Sequence, residues 1–225
     1  MTRITRYAAV LLAGGCLTLA SAAIGGVYLN QDQDPAAVGK KLADSIRAAA
    51  SDPAAMAKWQ EMMQTGPAHE FLQQSFVGEW DLEIKMWMDP QGEPMASKGT
   101  ATVESMFDGR FVRERVEADM MGQPWQGEGT TGYDNAKKQF VSTWMDSMGT
   151  GIMLMKGSIS PDGKTLTFIG DMDEPMTGEM GKAIRISITV ESKDRHRMEM
   201  FEILYGDPIK VMELTYTRRG QGDGN

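Results

Sequence analysis

Hydrophobic and polar residues alternate along most of the chain after residue 76, in short runs separated by turn residues. In the first run, Trp80, Leu82 and Ile84 alternate with charged residues, and this period of two is typical of strands with one buried face. Further alternating runs cover residues 98–107, 109–120, 122–132, 138–146, 151–158, 164–171, 183–193, 196–206 and 209–218. The pattern therefore predicts about ten consecutive β-strands.

The connections between these runs are short and contain turn residues such as Asp108-Gly109 and Asp207-Pro208. No long helical pattern separates the runs, which excludes the crossover helices that a parallel sheet needs. An open antiparallel sheet of this size would expose two edges, and closure into a barrel removes both. We therefore predict an all-β fold, an antiparallel up-and-down barrel of about ten strands.

Residues 30–74 have a helical pattern instead. Asp34-Pro35, Asp52-Pro53 and Gly66-Pro67 each place a capping residue before a proline at the first helical position. We predict short N-terminal helices that form a helical leader or linker over residues 23–74. The barrel domain is expected over residues 75–219 and a disordered tail over residues 220–225.

The first 22 residues have the features of a signal peptide. Arg3 and Arg6 precede an uncharged, mostly apolar segment, and Ala20-Ser21-Ala22 supplies the small residues that a signal peptidase accepts. An uncleaved anchor is the alternative, because the uncharged segment continues to Leu29 and is long enough to span a bilayer. Both interpretations predict an exported protein, periplasmic or secreted in the first case and membrane-anchored in the second.

The single cysteine, Cys16, lies within this segment. Lipidation at Cys16 is a third alternative, although Ala13 stands where a lipoprotein signal has a bulky leucine. Cleavage after Ala22 would leave a mature chain without cysteine, which excludes disulfides, thiolate metal sites and cysteine nucleophiles.

The charge of the chain argues against two classes of partner. The formal net charge is −8, and loss of Arg3 and Arg6 would leave 21 basic against 31 acidic residues, a net charge of −10. Nucleic acids and anionic membrane surfaces attract basic patches, and the longest basic feature here is Lys137-Lys138. We expect no nucleic-acid partner and contact with a membrane only through an uncleaved N-terminal segment.

Several segments resemble the DUF1579 family of uncharacterised bacterial proteins, over residues 66–218. They are Gly66–Leu72 with Val77–Asp81, Asp108–Val112 with Gly122–Gly127, and Gly132–Asn135 with Ser142–Asp146 and Gly149–Gly151. The resemblance implies a lipocalin-like, calycin-type barrel. It brings no functional residue with it, because the family has no assigned active site.

The sequence contains few candidates for catalysis. It has two histidines and none of the common hydrolase, nucleotide-binding or zinc-protease motifs. His69 precedes the first strand, where we expect it to cap or pack, and His196 follows a charged turn, where we expect it to be exposed. The sequence predicts no catalytic residues and no cofactor.

Aromatic and charged residues around the hairpin at residues 122–146 are the candidates for a ligand site. Trp144 and Asp146 share one face of a strand, which a dry core tolerates only if the carboxylate has a partner such as Arg113. We predict that Trp125, Tyr133, Trp144, Asp146 and Arg113 line a cavity or its mouth. In the alternative interpretation, Trp144 plugs the barrel end and Asp146 caps the following turn.

Methionine is unusually frequent. Between residues 76 and 218 there are 16 methionines but only five leucines. Methionine then replaces leucine as a core residue that fills irregular gaps. The alternative is a Cu(I) site, because thioethers suit that ion, with candidate ligands Met172, Met176, Met180, Met198 and Met200.

These observations favour a non-enzymatic barrel that binds a small apolar or amphipathic ligand. A cell-envelope interaction module with a filled barrel is one alternative, and a Cu(I)-handling protein is the other. An internal cavity would favour the ligand-binding barrel over the interaction module. Thioethers that converge at one place would favour the Cu(I)-handling protein.

Overall fold

The computed structural model describes residues 34–120, 122–174, 177–204 and 206–220. The predicted signal peptide or anchor, Met176 and nearly all of the predicted tail lie outside these residues. The chain divides into two compact units, Met1–Gln64 and Thr65–Asn225. Within the described ranges, no helix is both long enough and apolar enough to cross a membrane.

The described part of the first unit consists of two helices, α1 (Pro35–Ser51) and α2 (Pro53–Met63). Asp34 accepts a hydrogen bond from the backbone N–H of Ala36 at 3.1 Å, and Asp52 accepts one from Ala54 at 2.9 Å. Each aspartate thus satisfies an amide that the first helical turn leaves free. The N-caps predicted from the two Asp-Pro pairs are confirmed.

The second unit contains one helix and ten strands. They are α3 (Pro67–Phe76), β1 (Gly78–Met86), β2 (Met95–Met106), β3 (Phe111–Met120), β4 (Gln123–Asp134), β5 (Gln139–Asp146), β6 (Met153–Ile159), β7 (Thr165–Glu174), β8 (Glu179–Ser192), β9 (Arg195–Leu204) and β10 (Asp207–Arg218). Each strand pairs antiparallel with its neighbour in sequence, and β1 pairs with β10. The sheet is a closed up-and-down barrel, which confirms the predicted fold.

The core lies inside this barrel. In the register, Leu82 of β1 is opposite Gly99 of β2 and Tyr216 of β10, so residues of one parity face inward together. The largest fully buried side chains of the strands are Trp80, Phe140, Phe168, Leu82, Leu166, Ile184 and Val116. Alternation in the sequence thus corresponds to alternation between core and solvent.

Helix α3 covers one end of the barrel, called here the closed end. Its buried residues are His69, Leu72 and Phe76, and Gln73 donates hydrogen bonds to the carbonyl oxygens of Gly109 and Phe111 at 3.2 and 3.3 Å. Phe76 therefore ends the helix and does not begin the first strand. The unit that contains the barrel starts at Thr65, ten residues before the domain boundary predicted from the pattern.

The opposite end of the barrel is called the mouth. Several large apolar side chains that face inward there are only half-buried. They are Met86, Trp125, Trp144, Met153, Met172 and Met212.

Candidate functional site

His196 is buried in the barrel, with 4% of its surface exposed. Its ring stacks on Tyr216 with centroids 4.1 Å apart, and it meets the ring of Trp80 edge-on at 4.4 Å and that of Phe76 at 5.1 Å. Our expectation of an exposed His196 is wrong, because β9 begins at Arg195 and His196 is its first inward position. Pairing of β9 with β10 places His196 opposite Tyr216.

Tyr216 and Glu114 form a partly buried hydrogen bond beside this ring. The Tyr216 hydroxyl donates to Oε1 of Glu114 at 2.8 Å. The two residues come from β10 and β3, which do not pair with each other, so the bond crosses the barrel interior. It links groups that are 102 positions apart in the chain.

The surroundings of this cluster favour uncharged side chains. Burial, and then the positive charge of Arg218, lower the pKa of His196 to about 3. Burial raises the pKa of the Glu114 carboxyl, although the hydrogen bond from Tyr216 opposes the shift. Burial followed by the charge of Glu114 also raises the pKa of Tyr216 well above its ordinary range. The cluster can donate and accept hydrogen bonds, but its imidazole is a weak base and its phenol a weak acid.

The Nδ1 atom of His196 has no hydrogen-bond partner among the described residues. A buried polar atom without a partner is costly, and such atoms are rare in folded proteins. His196 lies in the wall of a cavity inside the barrel, whose volume is about 50 Å³. The cavity is lined by Phe76, Val103, Val112, Glu114, Thr131, Leu166, Ile188, His196, Met198 and Tyr216. We regard this cavity as the candidate site and refer to it as the polar cavity.

The sequence contains a signal that could have located these residues. Glu114 stands between Val112 and Val116 in the same phase of alternation, which puts a carboxylate on the apolar face of its strand. His196 likewise shares its phase with Met198. A polar residue in the apolar phase predicts a buried polar group that needs a partner.

Trp125, Trp144 and Asp146 lie together at the mouth. The indoles of Trp125 and Trp144 stack with centroids 6.1 Å apart. Asp146 accepts hydrogen bonds from Nε1 of Trp144 at 3.3 Å and from the backbone N–H of Met148 at 2.9 Å. Asp146 therefore has partners without any arginine, and it caps the turn as in the alternative interpretation.

Two glycines of β4 make room for this tryptophan pair. A Cβ atom on Gly127 would overlap the ring of Trp144, and a Cβ atom on Gly129 would lie 2.8 Å from Cε3 of Trp144. The indole of Trp144 thus lies flat across the backbone of β4 and narrows the mouth.

The other two candidate residues lie elsewhere. Tyr133 is at the closed end, where its ring contacts the rings of His69 at 5.9 Å and Phe140 at 5.0 Å. Arg113 is on the outer face, where its Nη2 atom lies 2.6 Å from Oε2 of Glu104. Arg113 therefore does not join the interior group in which we placed it.

The candidate Cu(I) ligands do not form one group in the described structure. Met198 and Met200 face the interior from β9, and Met172 does so from β7, with β8 between these strands. Met180 is 76% exposed. Across the described ranges, no group of three or more His, Cys, Asp or Glu residues could hold a metal ion.

A different set of methionines is adjacent on the inner face. Met95, Met86, Met212 and Met200 are successive partners on β2, β1, β10 and β9. This set, called here the methionine row, runs from Met95, which is 40% exposed, to Met200, which is 8% exposed. It connects the rim of the mouth with the core.

The relation to known proteins is consistent with this architecture. The DUF1579 family, described as proteins of unknown function, matches residues 64–218. The chain belongs to the DUF1579 family. No curated protein matches the sequence.

The solved structures that resemble this DUF1579 protein have low sequence identity to it. The crystal structure of Rv2717c from M. tuberculosis gives a TM-score of 0.51 at 13% identity and covers 70% of this chain and 100% of that one. The phycobiliprotein lyase CPES from Guillardia theta gives a TM-score of 0.48 at 12% identity, with coverages of 68% and 92%. At such identities, the first likeness supports the fold alone and the second carries no argument.

Proposed function

We propose that this DUF1579 protein is a non-enzymatic binding protein whose barrel holds a small, mostly apolar ligand, with one polar group of that ligand in the polar cavity. The observation that carries the proposal is the Nδ1 atom of His196, which has no partner among the described residues. A ligand atom that hydrogen-bonds to it would remove the cost of burying it alone. The other walls are mostly apolar, as is usual for small-molecule sites.

The size of the polar cavity restricts what enters it. A volume of about 50 Å³ accommodates a group of a few heavy atoms, since one water needs roughly 10–15 Å³ measured in this way. A longer ligand must displace side chains. Met198 lines the cavity, and methionine changes shape at low cost because its side chain is unbranched. We propose that an apolar tail lies along methionines on its way to the mouth.

The interaction-module hypothesis fits less well. It requires a barrel filled with side chains, whereas the barrel contains the polar cavity, and Nδ1 of His196 has no partner among the described residues. A filled core would also be expected to satisfy its buried polar atoms internally.

Native mass spectrometry of the full-length chain, purified without refolding, tests the proposal. A bound small molecule that leaves on denaturation is the expected result. The variant Val112→Phe, which fills the polar cavity, should lose this molecule. The variant Leu154→Phe is the control, because it adds a ring at a position that is 67% exposed. The proposal fails if the purified chain carries nothing and takes up no apolar or amphipathic molecule from a mixture.

The methionine row favours a second candidate function, the binding of Cu(I). Opposed residues in adjacent antiparallel strands have Cβ atoms about 4.5–5.5 Å apart, so three successive thioethers can reach one soft ion. Titration with Ag(I), a redox-stable analogue, should then load one ion. The variants Met86→Leu and Met212→Leu should lose it, and Met155→Leu, an inward residue outside the row, should retain it. Equal loading of all three variants would rule out this site.

We also propose that the protein is exported, on the basis of the charged and apolar pattern of residues 1–22. Expression of the full-length chain in a bacterial host, followed by fractionation and N-terminal sequencing, tests this. Export with cleavage predicts a new N-terminus at Ala23. An intact N-terminus in the membrane fraction would favour the anchor, and a cytoplasmic product would contradict export.

A further inference from the structure

The polar cavity contains the chemistry that recognises a positively charged group. We infer that the ligand of the barrel presents an ammonium group, held between the Glu114 carboxylate and the rings of His196, Tyr216 and Phe76. This inference rests on the proposed function and specifies the chemical class of its ligand.

Glu114 is the acidic residue in the cavity wall. Burial raises its pKa and so opposes its negative charge, whereas an ammonium group beside it would stabilise that charge. The neutral imidazole of His196 and the phenol of Tyr216 offer hydrogen bonds but no counter-charge. Among the residues that line the cavity, none is Lys or Arg. An anionic head group would therefore meet a carboxyl group and no cation, whereas an ammonium group would gain a charge-assisted hydrogen bond.

The nearby arginine does not change this balance. Arg218 donates hydrogen bonds to the carbonyl oxygens of Val77 at 2.8 Å and Lys193 at 3.0 Å, and its guanidinium lies 4.1 Å from the ring centroid of Trp80. It also lies 3.5 Å from a carboxylate oxygen of Asp194. Its donors are thus committed at the closed end.

The aromatic walls of the cavity favour the same class of ligand. Phe76, Tyr216 and His196 all line it, and the rings of His196 and Tyr216 are stacked. Aromatic faces attract cations through their quadrupole, and the attraction increases when water is excluded. A half-buried carboxylate beside aromatic rings is a complementary environment for a primary ammonium group. The cavity has about the size of such a group with one or two methylenes.

Calorimetric titration of the full-length chain with n-hexylamine, n-hexanol and hexanoate separates the possible head groups at constant chain length. We expect hexylamine to bind about tenfold more tightly than hexanol, and hexanoate to bind more weakly than hexanol. The isosteric variant Glu114→Gln should weaken hexylamine about tenfold and leave hexanol within about threefold. Glu117→Gln is the matched control, because it removes an exposed carboxylate from the outer face of the same strand.

A pH series with the wild-type chain gives the same information without a variant. In a series from pH 8 to pH 4.5, hexylamine should bind more weakly at the acidic end, because burial raises the pKa of Glu114 and protonation removes its counter-charge. Hexanol should show no such change. Tyr216 and His196 are the titratable groups that face Glu114 across the cavity. Neither changes its charge in this range, because the pKa of His196 is about 3 and that of Tyr216 is raised.

The outcomes separate this inference from the proposed function. Binding of hexanol or hexanoate as tightly as hexylamine would overturn the ammonium inference and leave the binding barrel intact. A preference for hexylamine that Glu114→Gln and low pH both leave unchanged would also overturn it. If none of the three probes binds and the purified chain carries no ligand, both the inference and the proposed function fail.

Discussion

The hydrogen bond from Tyr216 to Glu114 crosses the barrel interior and gives each of the two side chains a polar partner there. Glu114 lies where water cannot solvate it as bulk solvent would, and burial raises its pKa. An unsatisfied buried carboxyl costs more than an ordinary hydrogen bond contributes. The pair therefore stabilises the fold mainly by avoiding a penalty.

We predict that Tyr216→Phe destabilises the protein by about 1–3 kcal/mol, because Glu114 loses its donor. Urea unfolding followed by tryptophan fluorescence measures this. The double variant Tyr216→Phe with Glu114→Leu should be less destabilised than the sum of the two single changes, since it leaves neither partner alone. Strict additivity would show that the two groups act independently.

His196 should make stability depend on pH. Its pKa falls from 6.5 in the unfolded chain to about 3 in the fold, so the unfolded state binds more protons between these values. Stability is then fully present above pH 6.5 and decreases by about 1.4 kcal/mol per pH unit as the pH falls towards 3.

The difference between the wild type and His196→Phe isolates this contribution from the titration of other groups. Between pH 7 and pH 4, the unfolding free energy of the wild type should fall relative to that of His196→Phe, since phenylalanine cannot take up the proton. Parallel profiles over this range would contradict the buried, neutral imidazole.

Among the elements, strand β4 both pairs with its two neighbours and leaves space for the indole of Trp144. Its glycines make both possible. It pairs with β3 and β5 along its length. The indole of Trp144 occupies the space that side chains at Gly127 and Gly129 would need. A side chain at these inward positions would compete with the indole for the same space. The glycines thus serve packing here, since neither residue has a positive φ.

We predict that Gly129→Ala destabilises the barrel by about 1–3 kcal/mol, because its Cβ would lie 2.7 Å from the carbonyl oxygen of Thr143 and 2.8 Å from the Trp144 ring. Thermal unfolding gives the stability, and the emission maximum of tryptophan reports the displaced indole. Gly151→Ala is the control, as its added Cβ meets nothing within 4 Å. A Gly129→Ala variant as stable as this control would contradict the close packing.

Helix α3 belongs to the barrel unit, although its local sequence pattern resembles that of the preceding helices. The sequence predicted a helical start at Gly66-Pro67, and the helix begins there. Its assignment to the leader followed from its helical pattern alone. Contacts of Leu72 and Phe76 with the core instead make it part of the barrel unit, and such contacts between distant segments leave no mark in the local pattern.

At the scale of the molecule, the strands of the closed barrel differ in how many residues pair with their neighbours. Strand β6 has five paired residues with each of its neighbours, whereas β9 has ten with β10 and eight with β8. The outer face near β6 also carries the exposed side chains of Ile152 and Leu154. Local opening occurs where few buried contacts and few hydrogen bonds must be broken.

We predict that amide hydrogen exchange is fastest, among the strands, in β6 and slowest in β9. Mass-spectrometric exchange of the full-length chain under native conditions measures this for peptides covering each strand. Protection of β6 equal to that of β9 would show that the barrel opens only as a whole.

The sequence alone determined the parts of this protein that depend on neighbouring residues. Alternation of side chains defines strands, and short turns between ten strands require antiparallel neighbours. Asp34-Pro35 and Asp52-Pro53, each followed by a helical pattern, mark helix starts. These rules are local, so the order of elements and the closed barrel were both predictable. The same local rules predict contacts between residues close in sequence, such as the hydrogen bond by which Asp146 caps the turn after β5.

Tertiary structure alone decided which side chains meet inside. Glu114, Tyr216 and His196 come from three strands, and their convergence depends on the register and closure of the whole barrel. The alternation along each strand indicates that these residues face inward. It does not indicate which partner each one meets, because side chains from ten strands pack into the same interior. The polar cavity follows from this packing.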